Sequence, residues 1–589
     1  MATDAEISAE ARQSPAQGDV EKDEANVHGV DPIDELKQDM DLEYKQEGVK
    51  QVEAVTQVFS KKVVFLTLVF IYLISFAAAM QQSVQQNLTP YITSSFSAHG
   101  LLATTNIVST IIGGVSKLTI AKIIDIWGRV EGFCFMLLLI TVGLIMKAVC
   151  QNVETYAAAQ TLYWVGHLGL LYIVDVVVAD MTTLKNRMII FGINATPTIA
   201  TVFAGSKIAQ LYYDHLNFRW AFGSWAIILV GICIPIIGIV VYHEKKAKKF
   251  GLYPEKPKDR TWWQACKHYV VEFDVVGLIL TSAGFSLILL PFSLATSAPN
   301  GWRSGYVIAM LVLGAVCLAA FVVWEKYFAP IQYLPWKFLK DRNIMAGCLV
   351  YGFMFISIYC WDTYYSSYLQ VVNNESITIS GYVLNSFSLA SSFISPFVGL
   401  FIRWSGRYKL TAMVGIPFTV LGTALLIKFR TPESSVGYLV MCQLFNGFGS
   451  GIFSMCMQIA VMASVTHQEI AVVLAIWGLF GSIGAAIGET IAGALWTNEL
   501  LKQLYNDLPA DSKHLASTIY SSIVKQESYP MGSPIREAII SAYGNVMRKM
   551  VIAGACFIPP LVLFLFMLRD INVKKLEKSR GTQSKGNVW

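Results

Sequence analysis

Four ionisable side chains lie inside long apolar runs: His167, Asp175 and Asp180 in one run and Glu489 in another. A charge in an apolar medium is costly, so such residues are candidates for function. At helical spacing Tyr163 falls one turn before His167, and Asp175 two turns after it. Carboxyl and imidazole groups can take up and release a proton, which makes Asp175, His167 and Glu489 the candidate proton carriers. A second cluster, Trp361, Asp362, Tyr364, Tyr365 and Tyr368, combines contact area with hydrogen-bonding tips, as a binding surface requires. At 100° per residue the five cannot share one face. Asp362, Tyr365 and Tyr368, three apart, are expected on the face that meets substrate, with Trp361, Tyr364 and Tyr163 as further contacts. The sequence shows no metal-ligand run, phosphate loop or nucleophile–base pair, so neither an enzyme nor a cofactor or metal held by the protein is expected. Cys134, Cys317, Cys348, Cys456 and Cys556 fall in apolar runs without close pairing and read as packing residues.

The elements that must position these residues are set by lipid. Hydrophobic residues make up 54% of the chain and charged ones 14%, against about 25% charged in a globular protein. Apolar runs long enough to cross a bilayer as helices start near Lys62, Gly100, Val130, Glu154, Arg187, Phe218, Glu272, Ser304, Asn343, Thr378, Lys409, Ser435, His467 and Arg548. They predict an all-α integral membrane protein of fourteen spans. Alternate short loops carry Arg129, Lys185, Arg187, Arg403, Arg407 and, after span six, Lys245, Lys246, Lys248, Lys249, Lys256, Lys258, Arg260 and Lys267. Basic loops stay cytosolic, so both termini are expected in the cytosol. Trp262 and Trp263 suggest that part of the long basic loop lies along the interface. The basic residues serve this topology and imply no nucleic-acid partner.

Residues 1–58 hold 15 acids against five bases and few large apolar side chains, so they read as a disordered acidic cytosolic tail. A six-helix bundle is expected over 59–243, the basic loop with two inserted helices over 244–342, a second six-helix bundle over 343–568, and a cytosolic tail over 569–589. The stretch 497–545 is polar and amphipathic enough to form an extracellular cap. Sequons stand at Asn374-Glu375-Ser376 and Asn87-Leu88-Thr89. Gly478, Gly481, Gly484, Gly488 and Gly493 recur at spacings that permit close helix contact.

An internal repeat gives the architecture. After span two the chain reads Ala121-x-x-x-Asp125-x-x-Gly128-Arg129, and after span ten Gly399-x-x-x-Arg403-x-x-Gly406-Arg407, with identical offsets. Two loops eight spans apart on one template imply equivalent six-span halves with two spans inserted between them, a 6 + 2 + 6 order. The small residue permits close approach, the carboxylate sits near helix N-termini, and the arginine after the turn glycine can pair across the bundle. The gating set is therefore Asp125, Gly128, Arg129, Arg403, Gly406 and Arg407, joined by Asp180, which is expected to pair with Lys185 or Arg187.

The first of these loops resembles the signature Gly-x-x-x-Asp-Arg-x-Gly-Arg of the major facilitator superfamily, departing from it at Ala121 and Ile126. A closer resemblance covers nearly the whole chain after residue 60. The segments YITSSF from Tyr91, ADMTTLKNR from Ala179, FRWAFGSWA from Phe218, YCWDTYYSSYLQVV from Tyr359 and LFGSIGAAIG from Leu479 are similar to those of the fungal siderophore-iron transporter family. That resemblance implies proton-coupled import of a ferric siderophore across the plasma membrane, the iron being held by the siderophore's own hydroxamate oxygens. The partners it implies are a ferric siderophore, protons and the lipid bilayer. Glu489 stands where this family usually carries a small or neutral residue. A drug or glutathione/proton antiporter shares the fold, but span five keeps Pro197 without most glycines of the antiporter motif. The third alternative is a siderophore receptor that does not transport.

Overall fold

The computed structural model describes residues 51–580, apart from 52–54, 56–57, 97–101, 251–261, 296–297, 299, 331–333 and 467–468. The expected acidic tail (except Gln51, Val55 and Val58), Lys256, Lys258, Arg260, His467 and the last nine residues lie outside the described residues, as do the side chains of Lys185, Trp262 and Trp263.

Six spans form the first half. They are α1 (Lys61–Ser95), α2 (Leu102–Ile126), α3 (Arg129–Val149), α4 (Val153–Met181), a span made of α5 (Leu184–Ala195) and α6 (Pro197–His215), and α7 (Phe218–Lys249). Their starts follow from local chemistry. Ser60, Asn152 and Asn217 each accept a hydrogen bond from the backbone three residues on, satisfying a donor that the first turn leaves open. The fifth span breaks at Thr196 because Pro197 has no N–H to continue the ladder, and it takes the N1 position of α6 instead.

After a helix at Trp262–Glu272 comes the inserted pair, α8 (Val275–Leu289) and α9 (Gly305–Val323), and a short helix at Trp336–Lys340 leads on from it. The second half comprises α10 (Arg342–Asp362) with α11 (Tyr365–Val371), α12 (Ile377–Ser405), α13 (Tyr408–Phe429), α14 (Val436–Ala463), α15 (Ile470–Leu495) extended by α16 (Leu501–Asp507), and, after two short helices α17 (Ala516–Ser521) and α18 (Ile523–Glu527), α19 (Pro534–Ala555) with α20 (Ile558–Phe566). Among the described residues thirteen helices are long and apolar enough to cross a membrane. The expected seventh is shorter: α8 has 15 residues, and Pro291 interrupts its ladder before a last turn at Pro291–Leu294.

The last span also differs from expectation. It begins at Pro534 rather than near Arg548, because Ser533 caps it and its first turns pack into the segment that precedes them. There Arg536 Nη1 donates to the Gln526 carbonyl at 2.5 Å and Tyr543 Oη to Gln526 Oε1 at 2.5 Å. The stretch 497–545 is thus folded, and Ile523 N donates to Ser94 Oγ of α1 at 3.2 Å. This side of the bundle is called the cap end, and the side with the two repeated loops the motif end.

Two seams join the halves: α2 packs along α15, and α12 along α5 and α6. Close approach within the second half uses glycine, since a Cβ on Gly484 would strike the backbone of Gly352 and one on Gly488 would lie 2.7 Å from the Ile356 carbonyl. The inserted pair is peripheral. α8 packs on α2, α9 packs on α8, and only 11% of the apolar window of α9 is buried.

Candidate functional site

At the motif end Arg129 is the centre of a buried ionic cluster. Its Nη1 lies 2.6 Å from Asp125 Oδ1, its Nε 3.2 Å from Asp180 Oδ2, and Nη1 also donates to the Ile124 carbonyl at 2.9 Å. Gly128, at φ 124°, supplies the turn that brings Arg129 to the start of α3, a conformation few other residues adopt. Asp180 was expected to pair with Lys185, whose side chain lies outside the described residues, or with Arg187. Asp180 meets Arg129, while Arg187 Nη2 donates to the carbonyls of Ala179 at 2.9 Å and Thr182 at 3.1 Å, and its Nη1 stands 3.9 Å from Met462 Sδ in the other half.

The second repeated loop keeps the backbone of the template without its buried cluster. Gly406 ends α12 at φ 72°. Arg403 is exposed, and Arg407 reaches Asp570 at 3.9 Å in an exposed pair. Gly399 serves close approach: a Cβ there would lie 2.6 Å from the Met188 carbonyl across the α5–α12 seam. Tyr172 Oη of α4 donates to the Ala471 carbonyl of α15 at 2.7 Å, a second bond between the halves at this end.

Between the halves lies a cavity of about 500 Å³, within the range of small-molecule sites, about 300–1,000 Å³. The first half supplies Gln82, Gln85, Gln86, Gln160, Trp164, His167 and Lys117 to its wall. The second half supplies Tyr351, Phe355, Tyr359, Asp362, Ser366, Ser482 and Glu489. Aromatic faces and neutral amides dominate, with Lys117 opposite two carboxylates.

His167 packs against both Tyr163 and Trp164, each ring centroid 5.4 Å away, and its Nε2 has no hydrogen-bond partner among the described residues. Glu489 is buried, its carboxyl reaches Thr110 of α2, and its Oε2 likewise has no such partner. Asp175 stands behind the wall as the opposite charge nearest Lys117.

The tyrosine cluster is arranged differently from the expectation. Asp362 is in the cavity wall, but Tyr365 and Tyr368 are not; the lining face is Tyr359, Asp362, Thr363 and Ser366, at steps of three, one and three. Each step of three falls 60° short of a full turn, so 365 and 368 drift off the face that 359, 362 and 366 hold. Tyr365 lies instead under Arg430, whose guanidinium carbon is 3.7 Å from the ring centroid and whose Nη1 donates to the Trp361 carbonyl at 2.8 Å. Trp361 is buried beside them, and Tyr364 stacks on Trp496 at 3.9 Å. These aromatics anchor the α10–α11 bend; they do not face the cavity. Tyr163 also sits behind the wall, donating to Gln81 Oε1.

Two lysines within spans were missed by the reading of ionisable groups, Lys117 in the cavity wall and the buried Lys147. Lys147 is fully buried in the last turn of α3, with Nζ 2.8 Å from Gln85 Oε1 and 3.8 Å from the Tyr163 ring centroid. The sequence signal was a lysine within an apolar run, as strong as that of Glu489. Asn87, in the second sequon, is buried in α1 and donates to Ser83 O at 2.7 Å, whereas Asn374 is exposed in a loop. Among the described residues no three His, Cys, Asp or Glu come together in a group that could hold a metal ion.

Two six-helix halves closing on one polar-aromatic chamber define a membrane carrier fold. The model of the Major Facilitator Superfamily matches residues 64–489. Among curated proteins the chain is 52% identical over 544 residues to the "MFS siderochrome iron transporter 1" of Ajellomyces capsulatus, covering 92% of this chain and 94% of that protein. It is 39% identical over 540 residues to the "Siderophore iron transporter mirB" of Emericella nidulans, covering 92% and 89%. Among solved structures it aligns with a peptide transporter, POT, in complex with sulfate, at TM-score 0.52 and 16% identity over 88% of this chain and 99% of that one, which shows the fold alone. The chain belongs to the major facilitator superfamily and, within it, to the fungal siderophore-iron transporter family.

Proposed function

We propose that this protein imports ferric hydroxamate siderophores across the plasma membrane by proton-coupled alternating access, with fourteen spans and both termini in the cytosol. The motif end is then cytosolic and the cap extracellular. The observation that carries this reading is the composition of the chamber wall between the halves, in a chain 52% identical to a siderochrome iron transporter. A bulky chelate with its iron already saturated asks for aromatic area and neutral polar groups, and the wall offers Trp164, Tyr351, Tyr359 and four glutamines. No protein ligand to iron is needed.

Asp362 takes part in binding the chelate. Proton uptake is assigned to Glu489 and His167, which line the chamber and each keep a ring or carboxyl atom without a hydrogen-bond partner among the described residues, and to Asp175 through its neighbour Lys117. The Asp125–Arg129–Asp180 cluster, with Gly128, Arg187, Arg403, Gly406 and Arg407, forms the inner gate.

The test is accumulation of labelled ferric siderophores at two external pH values, in cells lacking other carriers. Uptake of at least one hydroxamate chelate, faster at the acid pH and abolished by a protonophore, is expected. Binding to the cell surface without accumulation would replace transport by reception. Full uptake and unchanged pH dependence in each of Glu489→Gln, His167→Gln and Asp175→Asn would remove the proton assignment.

A further inference from the structure

The amide groups on the first half's wall have a direction, and a single lysine amine sets it. We propose that Lys147 is a positioning residue that orients a chain of glutamine amides so that the chamber presents N–H donors to the acceptor oxygens of an uncharged ferric chelate. This deepens the transport reading and rests on it.

The Lys147 amine donates to the Gln85 amide, and the amide atom that accepts is its oxygen. That atom is Gln85 Oε1, 2.8 Å from Lys147 Nζ, and it also accepts from Gln81 Nε2 at 3.3 Å. Tyr163, donating to Gln81 Oε1, holds Gln81 in the same sense. The nitrogen of Gln85 must then point the other way, and it donates to Gln160 Oε1 at 3.2 Å. Gln160 Nε2 is left as the donor end of the chain, on a residue that lines the chamber. Lys117, on the same wall, offers further donors and no acceptor.

The setting of Lys147 is not that of an interfacial lysine. A lysine near a helix end ordinarily extends its stem to put the charge in water. Here the side chain turns inward, is fully buried, and is held by the Tyr163 ring, by Phe222 at 5.1 Å and by the Gln85 oxygen, with no carboxylate in contact among the described residues. The amine thus acts on the chamber through the amides. A wall of donors recognises a ligand whose outward atoms accept, as the carbonyl and N–O oxygens of an iron-bound hydroxamate do.

The experiment compares KM and kcat for uptake of one ferric trihydroxamate with an uncharged backbone, with surface abundance measured in parallel. Lys147→Met frees the Gln85 amide to turn over, and Gln160→Glu replaces the donor by an acceptor of the same shape while leaving Lys147 in place. Each is expected to raise KM about tenfold, the worth of one hydrogen bond to substrate, with kcat within about twofold. The double variant is expected to be no worse than either single one, since both break one chain. Lys147→Arg, still only a donor, should restore KM. A wild-type KM in Lys147→Met, a fall confined to abundance or kcat, or additive effects in the double variant would overturn the assignment with transport itself intact. Failure of the wild-type protein to accumulate any ferric chelate would instead remove the transport reading, and this one with it.

Discussion

The hydroxyl of Tyr172 donates to the backbone carbonyl of Ala471 at 2.7 Å, joining α4 of one half to the first turn of α15 in the other. At the cap end Tyr91 of α1 donates to Gln370 of α11. Each end of the chamber is therefore latched by a tyrosine of the first half, and the two latches can be released separately.

Releasing the motif-end latch should loosen that end alone. Tyr172→Phe removes one buried hydrogen bond, worth about 1 kcal/mol, or about fivefold in the ratio of open to closed forms. Hydrogen exchange is expected to rise at the motif ends of α4 and α15, with the cap unchanged. Equal acceleration at both ends would show that the bond is not a local latch.

Arg129 satisfies two carboxylates, so its loss should exceed that of an ordinary surface ion pair. Arg129→Ala leaves Asp125, 2% exposed, without its partner, at a cost of about 3–5 kcal/mol. Thermal unfolding of the purified protein should show a large fall in midpoint. Adding Asp125→Asn should recover part of it, because the stranded charge is gone.

The cap should respond to pH. Burial lifts the Glu527 carboxyl from the usual 4.5 to about 7, an effect that Arg536 and a hydrogen bond with Tyr91 oppose. The groups facing it are Tyr91 and Tyr213 from the first half and Arg536 and Tyr543 from α19. The folded cap holds the proton more tightly than an open one, so cap stability falls as pH rises through the window from 4.5 to about 7. Proteolysis within 510–533 should be slower at pH 5.5 than at pH 8, and Glu527→Gln should flatten the difference. Faster cleavage at the acid pH would reverse the sign and sink the prediction.

The α10–α15 contact leaves no room for a methyl group. Gly484→Ala should cost about 1–3 kcal/mol, seen as reduced abundance and thermal midpoint, since backbone atoms of Gly352 cannot move aside as a side chain could. Gly223→Ala is the control, with nothing within 4 Å of its added carbon.

The helical fold was legible because lipid demands long apolar runs, and the repeat around Asp125 and Arg129 stood out because both loops keep the same offsets. The chamber was legible only in part. Asp362, His167 and Glu489 reach its wall, but the tyrosine face was set one step off, because a repeat of three loses 60° per turn and Tyr365 drifts under Arg430. Arg430 lies 69 residues from Trp361, and no local pattern announces that contact. Lys147 was passed over although it stands in an apolar run; the packing of Tyr163, Tyr156 and Phe222 around it holds it inward.

The peripheral placement of α8 and α9 bears on how far the halves can swing. A short linker between two rocking bodies would act as a leash, limiting their excursion by its own length. Here the connection between the halves includes the peripheral pair α8 and α9, and is too long to act as such a leash. Travel must then be limited by the glycine-lined seams and the latches at either end, and a change in those contacts, rather than in the connecting chain, would alter the stroke.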